Sequence, residues 1–156
     1  MRIDPIDKKI LKVLQENGRI SNQDLADQVG LSPSASLRRL KALEDANIII
    51  GYQALLNTKA LGLSLTALIH IAMDKHTPER FSHFEAAIAK IPEVQELLII
   101  TGQQADFQLR VIVTDMDSYH ELLLKRITSI EGVTGVHTSF VLRQTTYKNL
   151  VAIGSL

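Results

Sequence analysis

Residues 19–44 read RISNQDLADQVGLSPSASLRRLKALE, a run that parses as two short helices around a tight turn. Ser21 is placed to cap the first helix, and Asp24 three positions on gives a capping-box-like start. Leu25, Ala26 and Val29 then share one helical face. Gly30 ends that helix, because glycine takes the left-handed C′ conformation at little cost, and Leu31 plugs the turn. Ser32-Pro33 opens the second helix as a capping serine followed by proline at N1, where a missing N–H is no loss. Leu37, Leu40 and Leu43 recur every third residue and are expected to face inward. Ser34, Ala35, Arg38, Arg39 and Ala42 make the opposite side, small and basic, a surface that suits a DNA major groove. This is helix-turn-helix geometry, whose second helix reads base edges near its N-terminal end.

Before this stretch, Asp4-Pro5 starts a helix with an apolar stripe of Ile3, Ile6, Ile10, Val13 and Leu14, ended by Asn17-Gly18. The three helices form one domain, residues 1–50. Asn47 stands where a left-handed C-cap is expected. Ile48 to Gln53 is rich in β-formers and is expected to be a strand leaving that domain. Residues 51–62 are the connection, closed by Lys59-Ala60-Leu61-Gly62.

From residue 63 to 156 the period changes. Leu65, Ala67, Ile69, Ile71 and Met73 alternate as in a strand. Thr77-Pro78 opens a helix with Phe81, Phe84, Ile88 and Ile91 on one face. Val94 to Thr101 is a second strand, and Phe107, Leu109, Val111 and Val113 alternate in a third. Asp117-Ser118 opens a helix with Tyr119, Leu122, Leu123, Ile127 and Ile130 inward. Val136, Thr138, Phe140 and Leu142 alternate in a fourth strand. The order β-α-β-β-α-β is a ferredoxin-like unit. Ile91-Pro92-Glu93-Val94 closes its first half much as Ile130-Glu131-Gly132-Val133 closes its second. The fold class is α+β. Both helices cover one face of the sheet. The other carries Leu68, Leu97, Ile99, Ile112 or Val141 according to register, and an uncovered apolar face predicts a dimer.

The chain has 156 residues, is nearly half apolar and has a formal net charge of zero. It can bury a real core, and any nucleic-acid surface must be a local patch rather than a global excess of charge. It has no cysteine, which excludes disulfides, thiolate zinc sites and cysteine nucleophiles. The N-terminus MRIDPIDKK has no signal-like apolar segment, and the longest apolar stretch, Leu61 to Met73, is too short to span a bilayer. A soluble, cytoplasmic, nucleoid-associated protein is expected.

The chain resembles the Lrp/AsnC (feast/famine) family of transcription regulators over essentially its whole length. The residues that carry the resemblance begin with Asp4-x-x-Asp7, Ile10-Leu11, Gly18-Arg19-Ile20-Ser21-Asn22, Leu25-Ala26 and Val29-Gly30-Leu31-Ser32-Pro33. They continue through Leu37-Arg38-Arg39-Leu40, Leu43-Glu44, Gly51-Tyr52, Leu56-Asn57 and Leu61-Gly62, then Pro92-Glu93-Val94, Thr101-Gly102 with Asp106-Phe107, and Gly132-Val133. The resemblance implies a helix-turn-helix joined to a ligand-sensing RAM- or ACT-like domain. It also implies homodimers that pair through their sheets and assemble as octamers of four dimers on double-stranded DNA. An amino-acid effector is then expected between dimers. The chain departs from the family in two places. Three residues separate Gly102 from Asp106 where the family usually has two. The family's lysine after the last strand falls on Thr145 or Thr146, with Lys148 later.

The DNA-binding residues expected are Arg19, Ser21, Asn22, Ser34, Ala35, Arg38 and Arg39. Arginine can hold guanine bidentately or grip phosphate, and Ser34 outranks Ser36, which lies nearer the buried side. For the effector, the resemblance points to Thr101, Gly102 and Asp106 of one subunit with Val136 and Thr138 of a neighbour. A turn at Gly102 can offer N–H groups to an α-carboxylate, and Asp106 can accept from an α-ammonium. His70, His76, His83, His120 and His137 match no metal-binding spacing, and no nucleophile–base arrangement stands out. The sequence therefore predicts neither enzyme activity, nor a cofactor, nor a metal, nor a membrane partner. The competing reading is a ligand-independent nucleoid-organising protein.

Overall fold

The computed structural model describes residues 2–102, 104–146 and 150–153. Gln103, one of the three residues between Gly102 and Asp106, and Lys148 lie outside the described residues. Residues up to Leu55, with the tail from Thr146, form one compact unit, and Leu56 to Thr145 form another.

The helical unit contains α1 (Pro5–Glu16), α2 (Asn22–Val29) and α3 (Pro33–Asp45). Each begins where a local signal places it. Asp4 caps α1 in a full capping box with Asp7, and Pro5 stands in the first turn. Ser21 Oγ accepts the Asp24 N–H, and Ser32 Oγ accepts the Ala35 N–H. Gly30 ends α2 at φ 74°, with its N–H bonded to the Ala26 carbonyl. Asn47, at φ 53°, closes α3 in a Schellman arrangement. Its N–H reaches the Glu44 carbonyl, and the Ile48 N–H reaches that of Leu43.

Ile10, Leu11, Leu25, Val29 and Leu43 make the core of this unit. Leu37 does not join it and stays 41% exposed, whereas Ser36 is fully buried. A three-residue spacing drifts about 60° per step around an α-helix, so Leu37 sits roughly 120° from Leu43, while Ser36, seven residues back, falls beneath it. Ile48 to Gln53 form no strand: Ile48 and Ile49 turn back onto the helical core, and Ile50 is 93% exposed. A β-rich run needs a partner edge, and none pairs with it among the described residues. The described tail was expected with the second domain. Instead the Val151 N–H and C=O bond the Gln15 side chain of α1, and Ile153 packs on the helical core.

The second unit contains β1 (Leu65–Met73), α4 (Pro78–Ile88), β2 (Val94–Ile99), β3 (Phe107–Val113), α5 (Met116–Leu122) and β4 (Val133–Phe140). The strands lie in the order β2-β3-β1-β4, every neighbour antiparallel, as the split βαβ pattern requires. The alternating residues of β1 and β3 are buried beneath Phe84 and Ile88 of α4 and Tyr119 and Leu122 of α5. Phe81 and Phe84 flank Phe107 with ring centres 4.7 and 4.6 Å away. α5 starts two residues earlier than the sequence suggested, because Asp115, not Asp117, caps it through the Ser118 N–H. It runs on into a π-helical turn, Leu123–Ile127, that the periodicity did not signal.

Register corrects the expected second face. Leu97 and Ile99 pair with Leu109 and Phe107 and so share the helix-covered side. The open side presents Leu68, Leu98 and Ile112 together with Glu96, Gln108, Arg110, His70, His137 and Ser139. It is a mixed polar surface rather than a continuous apolar one. At the end of β1 the chain returns through Gly132, at φ 97°; a Cβ there would stand 2.6 Å from Arg80 Cδ and 2.9 Å from Asp74 Oδ1. Arg80 fills that space and pairs with Asp74 and Glu131.

Candidate nucleic-acid interface and ligand site

Asn22 Nδ2 donates to the Pro33 carbonyl at 2.8 Å, which ties the first residue of α2 to the first residue of α3. Two helix N-termini therefore lie side by side, where free N–H groups and the helix dipoles favour anions such as phosphates. Ser21 and Ser34 are exposed at those termini; Ser34 Oγ lies 3.2 Å from Ser32 Oγ. Ala35 is half-buried, and Arg38, one turn on from Ser34, is exposed with no partner among the described residues. Arg19 is exposed as well. Asn22 gives one amide N–H to the turn, while its Oδ1 is buried without a partner among the described residues.

Arg39 departs further. Its Nη1 lies 2.7 Å from Asp4 Oδ2 and 2.8 Å from Asp7 Oδ1, so it clamps α3 to the start of α1. Asp7 is almost fully buried, and its other oxygen accepts the Asp4 N–H. The donated Asp7 N–H and then the Arg39 guanidinium hold the Asp4 carboxyl below its ordinary value, and the two carboxylates raise the Arg39 pKa. From sequence, Asp4 starts α1 and Asp7 enters only through the family resemblance; that both hold an arginine of α3 is tertiary information.

In the second unit, Thr101 and Gly102 are exposed in the β2–β3 loop, with Gly102 at φ 89°. Asp106 anchors that loop. Its Oδ2 accepts the Met73 N–H at 2.8 Å, its Oδ1 lies 2.8 Å from His76 Nε2, and its own N–H reaches the Ile71 carbonyl. Both carboxylate oxygens are thus already engaged, an arrangement no sequence spacing revealed. Val136 packs against the core, and Thr138 Oγ1 bonds Tyr119 Oη. Val136 also borders a shallow depression with Gln104, Ala105, Gly135, Ala72, His70 and His137, next to the Gly102 loop. Thr138 is not part of it. No group of three or more His, Asp or Glu residues is placed to hold a metal among the described residues, and no helix is long and apolar enough to cross a membrane.

Residues 3–50 match the family model of a winged helix-turn-helix DNA-binding domain, and residues 66–151 match that of the Lrp/AsnC ligand-binding domain. The chain belongs to the Lrp/AsnC family. The leucine-responsive regulatory protein of Haemophilus influenzae is 38% identical to it over 97% of this chain and 90% of its own. A transcriptional regulator of Neisseria meningitidis, solved with L-methionine, matches with a TM-score of 0.94 and 38% identity over 99% of both chains. The feast or famine regulatory protein of Mycobacterium tuberculosis, also solved with L-methionine, matches at 0.84 and 26% over 96% of this chain and 99% of that one. This protein is accordingly a DNA-binding transcription regulator of the Lrp type, with a separate ligand-binding domain.

Within this Lrp-type regulator the Arg39 clamp separates two roles that arginine can take on a recognition helix. Arg39→Met is expected to weaken operator binding severalfold while leaving the slope of log affinity against log salt unchanged. A lost phosphate contact would lower that slope by about 0.9. Fluorescence anisotropy across a salt series distinguishes the two.

Tyr52 secures the segment after α3. Its Oη donates to Glu44 Oε1 at 2.9 Å, and its ring lies over Gly18, where a Cβ would come within 3.3 Å. Burial first, then the bond to Glu44, pushes the phenol up from 10.0 to about 12. A raised pKa means the folded state favours the neutral phenol. That stability is complete below pH 10 and is lost as the pH climbs to about 12. Tyr52→Phe is expected to flatten the fall of stability in that window, measured by denaturant unfolding at stepped pH.

Proposed function

We propose that the protein is an amino-acid-responsive regulator, not an enzyme, that binds duplex DNA as a homodimer and assembles further into octamers. It acts at the chromosome in the cytoplasm, with the helical domain and the sheet domain joined by residues 51–62. Arg38, Ser34 and Ala35 meet the major groove, and Arg19 and Ser21 meet the backbone. The exposed Arg38 face beside two helix N-termini carries the DNA part of this reading. Dimerisation is supported by Ile50, Leu55 and Leu56, which are 93%, 75% and 69% exposed in a segment with no ladder partner among the described residues.

The effector is an amino acid with an apolar side chain, methionine first, as in the two similar structures solved with it. Gly102 and Thr101 supply backbone and hydroxyl groups to the α-carboxylate, with Val136 and Thr138 contributed by a neighbouring subunit. Asp106 holds the loop in shape, and its carboxylate reaches an α-ammonium only by sharing with His76. A thermal-shift screen of ligand-free protein against the common L-amino acids tests the reading. Binding to the native state alone stabilises by about 2.7 kcal/mol at a hundred times Kd. A melting-temperature rise with methionine is expected. No rise with any amino acid overturns the sensing role and leaves a ligand-independent DNA organiser.

A further inference from the structure

Chain ends are usually poorly ordered unless something ties them down. Here the tail is tied to α1. Gln15 Nε2 donates to the Val151 carbonyl at 3.2 Å, and Gln15 Oε1 accepts the Val151 N–H. A side-chain amide carries an acceptor and two donors in one plane. Gln15 therefore gives Val151 the same pair of bonds that a residue of a neighbouring antiparallel strand would give. Leu150 and Val151 are 49% and 71% exposed, so burial does not hold this part of the tail. Ile153, half-buried on the helical core, is the second fastening. Both fastenings leave the recognition helix alone: Gln15 is on α1, whereas Ser34 and Arg38 are on α3.

We propose that Gln15 is a positioning residue for operator recognition, acting through the tail. The chain leaves the helical unit after Leu55 and re-enters it at Thr146. With the tail fastened, the helical unit is held by two stretches of chain, residues 51–62 and 141–150, instead of one. A dimer on a two-fold operator must present two recognition helices at a set spacing, one turn of DNA or a multiple of it. The gain from the second half-site is an effective concentration, which falls as the tether grows longer or looser. A second tether narrows the volume that each helical unit explores, and so raises that gain without any new contact to DNA. Glutamine suits the task because glutamate has the same shape but, ionised, no hydrogen to donate to the Val151 carbonyl. This role presupposes the dimer proposed above and is independent of the effector.

The test uses the full-length protein and the duplex that it selects from a random pool, either intact or with one half-site scrambled. Gln15→Glu keeps a good helix former in α1. It is expected to weaken binding to the intact duplex by about fivefold, the scale of one lost hydrogen bond. Binding to the duplex with a single half-site, and the melting temperature, are expected to stay unchanged. Removal of residues 147–156, which takes away both fastenings, is expected to cause a larger loss of the same kind. Damage to the helical unit itself would instead weaken both duplexes. An undiminished preference for the intact duplex in both variants, or an equal loss on the two duplexes, overturns the positioning role. No gain from the second half-site in the wild type overturns the dimer and, with it, the role of Gln15.

Discussion

Replacing Leu43 by alanine is expected to destabilise the helical unit by about 2–5 kcal/mol. Leu43 has no exposed surface, and it packs with Ile10, Leu11, Leu25 and Val29 at the only place where all three helices meet one side chain cluster among the described residues. Truncation removes its burial and leaves a cavity that the short helices cannot close. The second unit has its own core, built on Phe84, Phe107 and Ile69, and shares none of these residues. The variant should therefore melt in two steps, the lower one carrying helical signal, and should lose DNA binding while still binding effector. A single, unshifted transition would show that Leu43 does not hold the helical unit together.

The second large effect belongs to Arg38. Its side chain is exposed and makes no hydrogen bond or ion pair among the described residues, so alanine there removes nothing the fold needs. A bidentate arginine–guanine contact is worth about 1–3 kcal/mol, so Arg38→Ala should weaken operator binding by roughly fivefold to 150-fold with unchanged melting. A loss confined to operator DNA marks a base contact. An equal loss on random DNA, with a reduced salt slope, marks a phosphate contact. Wild-type affinity in this variant would remove α3 from the interface.

Much of the architecture was legible in the sequence because the signals are local. Ser21, Ser32, Thr77 and Asp4 cap the helices that follow them, Gly30 and Asn47 end theirs, and the alternation in β1 and β3 states which side is buried. What failed depends on partners far along the chain. Leu37 misled because its spacing is three, not 3.6, and Arg39 because its partners lie on α1. Ile48 to Gln53 has strand composition but no edge to pair with among the described residues. The side that Leu97 and Ile99 take depends on register, which only the pairing with β3 fixes. The Asp106 bonds to Met73 and His76, and the pairing of His70 with His137, are likewise products of the sheet rather than of any motif. The helix start at Asp4 was visible, but its capping box with Asp7 and their shared hold on Arg39 were not.

The most direct test of the account is selection of duplexes from a random pool by the purified protein, followed by titration of the winning sequence and a scrambled one at fixed salt. Each titration is run with and without methionine. The account predicts that the selected duplex binds at least a thousandfold more tightly than the scrambled one, and that methionine shifts the first affinity. Equal affinity for both duplexes, indifferent to methionine, would contradict it.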